Sequence, residues 1–234
     1  MITGILFDKD GTLFDFHQTW SGWTRALLTD LAEGQPLRAA SLATAVGYDM
    51  ETGHFAPDSP VIAHTPEEIA LALLPQLPGK SLAALVSQMN TLSATAPTVQ
   101  AVPLVPLMAR LRREGLKLGV VTNDAEGAAR AQLAQIGAED SFDYVAGFDS
   151  GHGGKPSPGM LLAFARAHGL DPAGIAMVGD SRHDLVAGRA AGMRCIGVLT
   201  GPAREEDLAP LAEAVLPDIG YLPGWVDAQL RVES

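Results

Sequence analysis

From Leu104 to Leu199 short apolar runs alternate with segments of helical periodicity, and this alternation restricts the fold more than any other feature of the chain. The pattern predicts a helix over 104–114 closed by Gly115, a strand over 118–121, a helix over 126–136 and a short strand over 144–146. It continues with a helix over 159–168, a strand over 175–178, a helix over 184–191 and a strand over 195–199. A helix over 205–214 and a short strand near Val215 are expected after them. Strands connected through helices run parallel and are joined by right-handed crossovers. The expected fold class is therefore α/β, an open doubly wound parallel sheet, to which the first apolar run, Ile5-Leu6-Phe7, adds one more strand.

Between that first strand and the alternation, the chain reads as helical. Trp20, Trp23, Leu27, Leu28 and Leu31 lie on one face of a helix over 17–31, and Pro36 opens another through Ala39, Leu42 and Val46. Thr65-Pro66-Glu67-Glu68 has a capping Thr, Pro in the first turn and then acids, the signals of a helix start, and 81–92 forms a further helix. Gly47–Ile62 is richer in Gly, Pro and polar residues and reads as a loop or short hairpin. The simplest organisation is a core domain of residues 1–15 and 102–234 interrupted by a mainly α-helical domain over 16–101.

With 234 residues, 47% of them hydrophobic and 18% charged, the chain is long enough for a sizeable core and has the balance of an ordinary globular protein. Its formal net charge of −11 disfavours nucleic acid and anionic membrane surfaces as partners. A small anionic ligand would need local cations or a metal. The single cysteine, Cys195, permits no internal disulfide and lies in an apolar run, where a buried, inert thiol is expected. No basic leader precedes the first strand and no apolar stretch is long enough to span a bilayer, so a cytoplasmic location is expected.

Four polar clusters stand at or just beyond the ends of these strands: Asp8/Asp10, Thr122-Asn123, Lys155-Pro156, and Gly179-Asp180-Ser181 with Asp184. In an open parallel sheet ligands bind beyond the carboxyl ends of the strands, so these distant residues should meet in one crevice. The residue types suit phosphoryl transfer through a covalent intermediate. A carboxylate can attack phosphorus, and a second acid can protonate the leaving alkoxide and later activate water. Hard oxygen ligands favour Mg²⁺, while a hydroxyl and an ammonium can hold the phosphoryl oxygens.

Asp8-Lys9-Asp10-Gly11-Thr12, a strand ending in Thr122, Lys155-Pro156 and Gly179-Asp180-Ser181…Asp184 stand in the order seen in one family. The chain resembles the phosphatase branch of the haloacid dehalogenase superfamily, in particular subfamily I with a helical cap of the C1 type, and phosphoglycolate phosphatases within it. The resemblance covers residues 1–15 and 103–200, and the insert over 16–101 matches the cap. It implies a Mg²⁺-dependent phosphatase of a small phosphorylated metabolite, either monomer or homodimer, on a Rossmann-like core. Asp8 would be the nucleophile and Asp10 the general acid/base. Asp8, the backbone carbonyl of Asp10, and Asp180 would hold Mg²⁺. Thr122, Asn123 and Lys155 would bind the phosphoryl group, with Gly11, Thr12 and Asp184 in support. Lys9 departs from the apolar residue usual between the two acids, and the resemblance gives its side chain no role.

Two other outcomes use the same residues: a phosphomutase of the β-phosphoglucomutase type, and a non-catalytic phosphate-binding or regulatory protein. Carbon–halogen hydrolysis is disfavoured, because it needs neither the acid at position 10 nor a metal. The insert's few cations, Arg25, Arg38 and Lys80, make a substrate with several extra negative charges a poor fit. A phosphoglycolate-like substrate requires Arg25, Arg38 or an insert histidine to face the site. The 47–62 loop, with His54, Phe55 and Ser59, is the expected specificity element. Trp20 and Trp23 are expected in the insert's core and His183 in a solvated loop; the histidines lack zinc-ligand spacing.

Overall fold

A computed structural model describes residues 1–56, 58–62 and 64–232. Strand β1 (Gly4–Phe7) is fully buried and pairs in parallel on both sides, with β2 (Lys117–Val121) and β4 (Ile175–Gly179). With β3 (Tyr144–Ala146), β5 (Arg194–Val198) and β6 (Ala214–Leu216) these form a six-stranded sheet of order β3-β2-β1-β4-β5-β6, every pairing parallel. Strand order reverses between β1 and β4, the position at which an open α/β sheet leaves a crevice. Phe7 is level with Val120 and Val178, so the residues following the three central strands emerge side by side.

Both faces of the sheet are covered, which explains the continuous apolar strands. Ile5, Phe7, Val120 and Val178 pack on one face with Met108 of α5 (Leu104–Arg113), Leu133 of α6 (Glu126–Gln135) and Val226 of α10 (Leu222–Val232). Leu6, Val121 and Met177 face the other way, against Phe164 of α7 (Gly159–His168) and Ala187 of α8 (Arg182–Ala190). Cys195 is buried and its thiol, pushed up to about 11 by burial, donates to the Leu185 carbonyl at 3.3 Å.

Residues 16–96 build a separate apolar cluster. Trp20, Trp23, Leu27 and Leu28 of α1 (Phe16–Ala32) pack with Leu42 of α2 (Pro36–Ala45), Ile69 and Leu73 of α3 (Pro66–Leu73), and Leu85 and Met89 of α4 (Leu82–Ala94). The start of α3 is the expected capping box: Thr65 Oγ1 accepts from the Glu68 amide at 3.3 Å while Glu68 accepts from the Thr65 amide at 2.8 Å. The chain leaves and re-enters this cluster through adjacent segments, Asp15 N donating to Val99 O at 2.8 Å and Ala101 N to Leu13 O at 2.9 Å. Within 47–62, Tyr48 and Phe55 pair as a short antiparallel hairpin; Pro57 of that segment, and Glu233 and Ser234 of the expected core domain, lie outside the described residues.

The tail differs from expectation in two places. The helix expected over 205–214 is the single turn α9 (Glu205–Leu208), because Pro210 lacks an amide hydrogen and its ring blocks continuation. The α10 helix, with Leu222 and Val226 on its buried side, was not among the expected elements. Among the described residues no helix is long and apolar enough to cross a membrane.

Candidate active site

The end of β1 delivers Asp8 into the crevice, its amide donating to Val178 O at 2.8 Å so that the backbone follows β4. One Asp8 oxygen accepts from Lys155 Nζ at 2.5 Å. The same ammonium donates to Val121 O at 2.9 Å and lies 2.7 Å from Asp184 Oδ1, and it is almost wholly buried. Its backbone is clamped by Asn123, whose amide accepts from Lys155 N at 2.7 Å and donates to Lys155 O at 2.9 Å. Asn123, expected at the phosphoryl group, thus fixes Lys155 as well as lining the cleft.

Asp180 follows β4 and is buried beside Asp8. Thr12 Oγ1 donates to it at 3.3 Å, and a Cβ at Gly11 or Gly201 would run into its carboxylate. Gly11 also has φ +79°, a conformation L side chains rarely adopt. Ser181 caps α8: Asp184 Oδ2 accepts from the Ser181 amide (3.0 Å) and hydroxyl (2.7 Å), which turns Oδ1 toward Lys155. Asp184 therefore closes a capping box and orients the buried lysine at once.

Asp8, Asp180 and Asp184 each present an oxygen within 4.8 Å of the others, and one ammonium serves the group. Burial, reinforced by Asp184, pushes Asp8 up to about 7 despite the pull of Lys155. Asp180 rises well above the ordinary range, through burial and then the charges of Asp8 and Asp184. Lys155, disfavoured as a cation by burial, is held above its ordinary range by Asp184 and Asp8. An oxygen-only donor set short of positive charge is the chemistry that receives a hard divalent cation.

Lys9 is the residue that sequence reasoning left without a role. Its side chain is fully buried, with Nζ 2.8 Å from Asp10 Oδ1, 2.7 Å from Oδ2, 3.4 Å from Asp124 Oδ2, and donating to Gln132 Oε1 at 2.5 Å. It lies 5.3 Å from the centroid of the Trp20 ring. Gln132 Nε2 donates to Ser93 O at 2.8 Å, and Ser93 Oγ donates to Asp124 Oδ2 at 2.8 Å. The network joins β1, α6 and α4. Burial disfavours the Lys9 ammonium, yet Asp10 and Asp124 more than offset that and hold it above its ordinary range. Asp10 is raised by burial against the opposing pull of Lys9.

Asp8, Asp10, Thr122, Asn123, Lys155 and Asp184 line one cleft; Asp180 lies beside Asp8 and is hydrogen-bonded by Thr12. Asp124 and Gln132 were missed. Gln132 carries a signal, a polar residue among the buried positions Ala128, Ala129 and Leu133 of α6, whereas Asp124 carries none beyond its place after Asn123. Two further expectations change. His183 is not in a solvated loop: the Ser181 cap starts α8 at Arg182, and His183 sits half-buried on the cleft wall with its ring 5.5 Å from that of His64. Trp20 and Trp23 are core residues of the insert, as expected, and also line the cleft. Among the described residues of the 47–62 loop only its end, Val61 and Ile62, reaches the cleft; Ser59 Oγ donates to Val46 O at 2.6 Å and Phe55 packs on Tyr48 and Phe16.

Acidic, hydroxyl and ammonium groups are thus gathered at the switch point of a parallel sheet, where such a sheet binds its ligands. The model of the haloacid dehalogenase-like hydrolases matches residues 2–192, and the chain belongs to that family. It is 33% identical over 244 aligned positions to the probable phosphatase IndB of Dickeya dadantii, covering 98% of this chain and 96% of the relative. It is 41% identical over 118 residues to the phosphoglycolate phosphatase of Neisseria meningitidis, a match spanning about half of each chain (50% and 50%). The crystal structure of an HAD phosphatase from Thermococcus onnurineus has the same fold, with TM-score 0.68, 20% identity, and coverage of 96% and 98%.

Proposed function

We propose that the protein is a Mg²⁺-dependent phosphatase that hydrolyses a small phosphomonoester through an aspartyl-phosphate, with residues 16–101 as a cap over the cleft. The observation carrying this reading is the buried Asp8 carboxylate at the end of β1, held by Lys155 and sharing one cleft with Asp10 and Thr122. Membership of the hydrolase family and similarity to proteins named as phosphatases support it.

In this mechanism an Asp8 oxygen attacks phosphorus as the bond to the alcohol oxygen breaks, and Asp10 gives that oxygen its proton. Asp10 then takes a proton from the water that attacks the aspartyl-phosphate, releasing inorganic phosphate and restoring Asp8. Lys155 and the Thr122 hydroxyl hold the phosphoryl oxygens as charge develops on them. Asp8, the Asp10 carbonyl and Asp180 would hold Mg²⁺, which when bound offsets carboxylate and phosphoryl charge. Asp184 keeps the Lys155 ammonium in place.

Phosphate release from a panel of phosphomonoesters, with and without Mg²⁺, tests the reading. Isomerised product with little free phosphate would instead indicate a mutase. Asp10→Asn is expected to lower kcat by about 10²–10⁴ for alkyl phosphates, and by less for p-nitrophenyl phosphate, whose leaving group needs no proton. Equal losses for both substrates would remove Asp10 from the role of general acid.

Metal dependence should also appear in stability. Asp8 and Asp180 are raised in the folded protein, so between the ordinary carboxylate range and about 7 the native state binds more protons than the unfolded one. The contribution of these groups to metal-free stability therefore falls as pH rises through that window. Mg²⁺ favours their ionised forms and is expected to raise Tm more at about pH 8 than at about pH 5. Equal shifts at both pH values in thermal melts would contradict this.

A further inference from the structure

Resting on the phosphatase reading above, we infer that the alcohol released is uncharged and mainly apolar, and carries one group that both accepts and donates a hydrogen bond. The part of the cleft beyond the phosphoryl end is walled by Phe16, Trp20, Trp23, Val61, Ile69 and Met89, all buried. Trp20 and Trp23 pack edge to face, centroids 4.8 Å apart at 84°, and so present a rigid aromatic surface. An apolar body of about the size of an aromatic ring would cover that surface and release its water.

Among the described residues, a second anionic group on the substrate would meet no free cation there. Asp8, Asp10, Asp124 and Asp184 already line the cleft, and its lysine, Lys155, is fixed between Asp8 and Asp184. None of the insert's cations named in the sequence faces it. Arg38 pairs with Glu33 at 2.9 Å, Lys80 donates to Gln88 at 2.5 Å, and Arg25 is an exposed residue of α1. One of the three conditions set for a phosphoglycolate-like substrate is met, since the insert histidine His64 reaches the cleft, but it stands exposed at the mouth against His183 and away from the apolar wall. A carboxylate inside would be desolvated among indoles and like charges.

Three buried polar atoms of the wall's aromatic and amide residues have no hydrogen-bond partner: the Trp20 and Trp23 indole nitrogens, donors, and the Asn90 amide oxygen, an acceptor. All three residues line the cleft. A hydroxyl or carboxamide on the alcohol offers both an acceptor for an indole nitrogen and a donor for the Asn90 oxygen, whereas a carboxylate sets another acceptor against that oxygen.

The test uses the wild-type chain with Mg²⁺ and esters of matched leaving group: benzyl phosphate, 4-carbamoylbenzyl phosphate and 4-carboxybenzyl phosphate, with phosphoglycolate and p-nitrophenyl phosphate beside them. The expected order of kcat/KM places the carbamoyl ester first, benzyl phosphate next, and both carboxylated substrates about 100-fold below benzyl phosphate. Trp23→Phe keeps a ring but removes the donor, and should narrow the carbamoyl-to-benzyl ratio by about 3- to 10-fold. A carboxylated ester turned over as well as benzyl phosphate would overturn the inference and leave the phosphatase reading intact. An unchanged ratio in Trp23→Phe would overturn the assignment of Trp23 as donor. Phosphate release from none of the five esters would overturn the phosphatase reading, and this inference with it.

Discussion

Asp8→Asn is expected to abolish phosphate release, lowering kcat by at least about 10⁴-fold while the chain stays folded. The amide has nearly the shape of the carboxylate but cannot form an acyl phosphate. Lys155 keeps Asp184 at 2.7 Å, and the crowded trio loses one of its buried negative charges. Metal-free Tm should therefore not fall. Acid-quenched wild-type enzyme should carry one added phosphoryl group by mass spectrometry, and the variant none. A variant that still turns over would show that the covalent route is wrong even if phosphate is the product.

The second large effect is expected on stability. Lys9→Met removes the ammonium shared by Asp10, Asp124 and Gln132 and replaces it with an apolar side chain of similar length. Breaking a buried ion pair from one side leaves uncompensated charge, a loss of about 3–5 kcal/mol. Urea unfolding of the metal-free protein measures it. Adding Asp124→Asn removes one of the stranded carboxylates and should recover about 0.5–3 kcal/mol through coupling between the sites. Additive losses in the double variant would mean that Lys9 and Asp124 do not act as a unit. Activity should fall as well, because the Lys9 ammonium contacts both oxygens of the Asp10 carboxylate and so sets its position.

The fold and the reactive end of the cleft are legible in the sequence for a common reason. Strands buried on both faces are written as unbroken apolar runs, and the polar residues that follow them must emerge at one edge of a parallel sheet. Asp8, Thr122 and Asp180 are found by that rule alone, since each directly follows a strand. What stays hidden depends on contacts between distant segments. Nothing local tells that Lys9 is fully buried, or that its partners come from α6 and, through Ser93, α4. The wall of Phe16, Trp20, Trp23, Ile69 and Met89 is readable as helical core, but a core residue and a cleft-lining residue share the same periodicity. The shortened α9 is a failure of a different kind, where the helical pattern outweighed Pro210, a breaker in plain view.

The seam where Asp15 meets Val99 and Leu13 meets Ala101 has a consequence for how such an enzyme changes its preferences. Departure and return share one doorway, so whatever is spliced between them leaves strand order, Lys155 and the three gathered acids undisturbed. A lineage could exchange most of the proposed alcohol chamber and keep Asp8, Lys155 and Asp180 in place, provided the replacement supplies what Ser93 gives to Asp124 and Gln132.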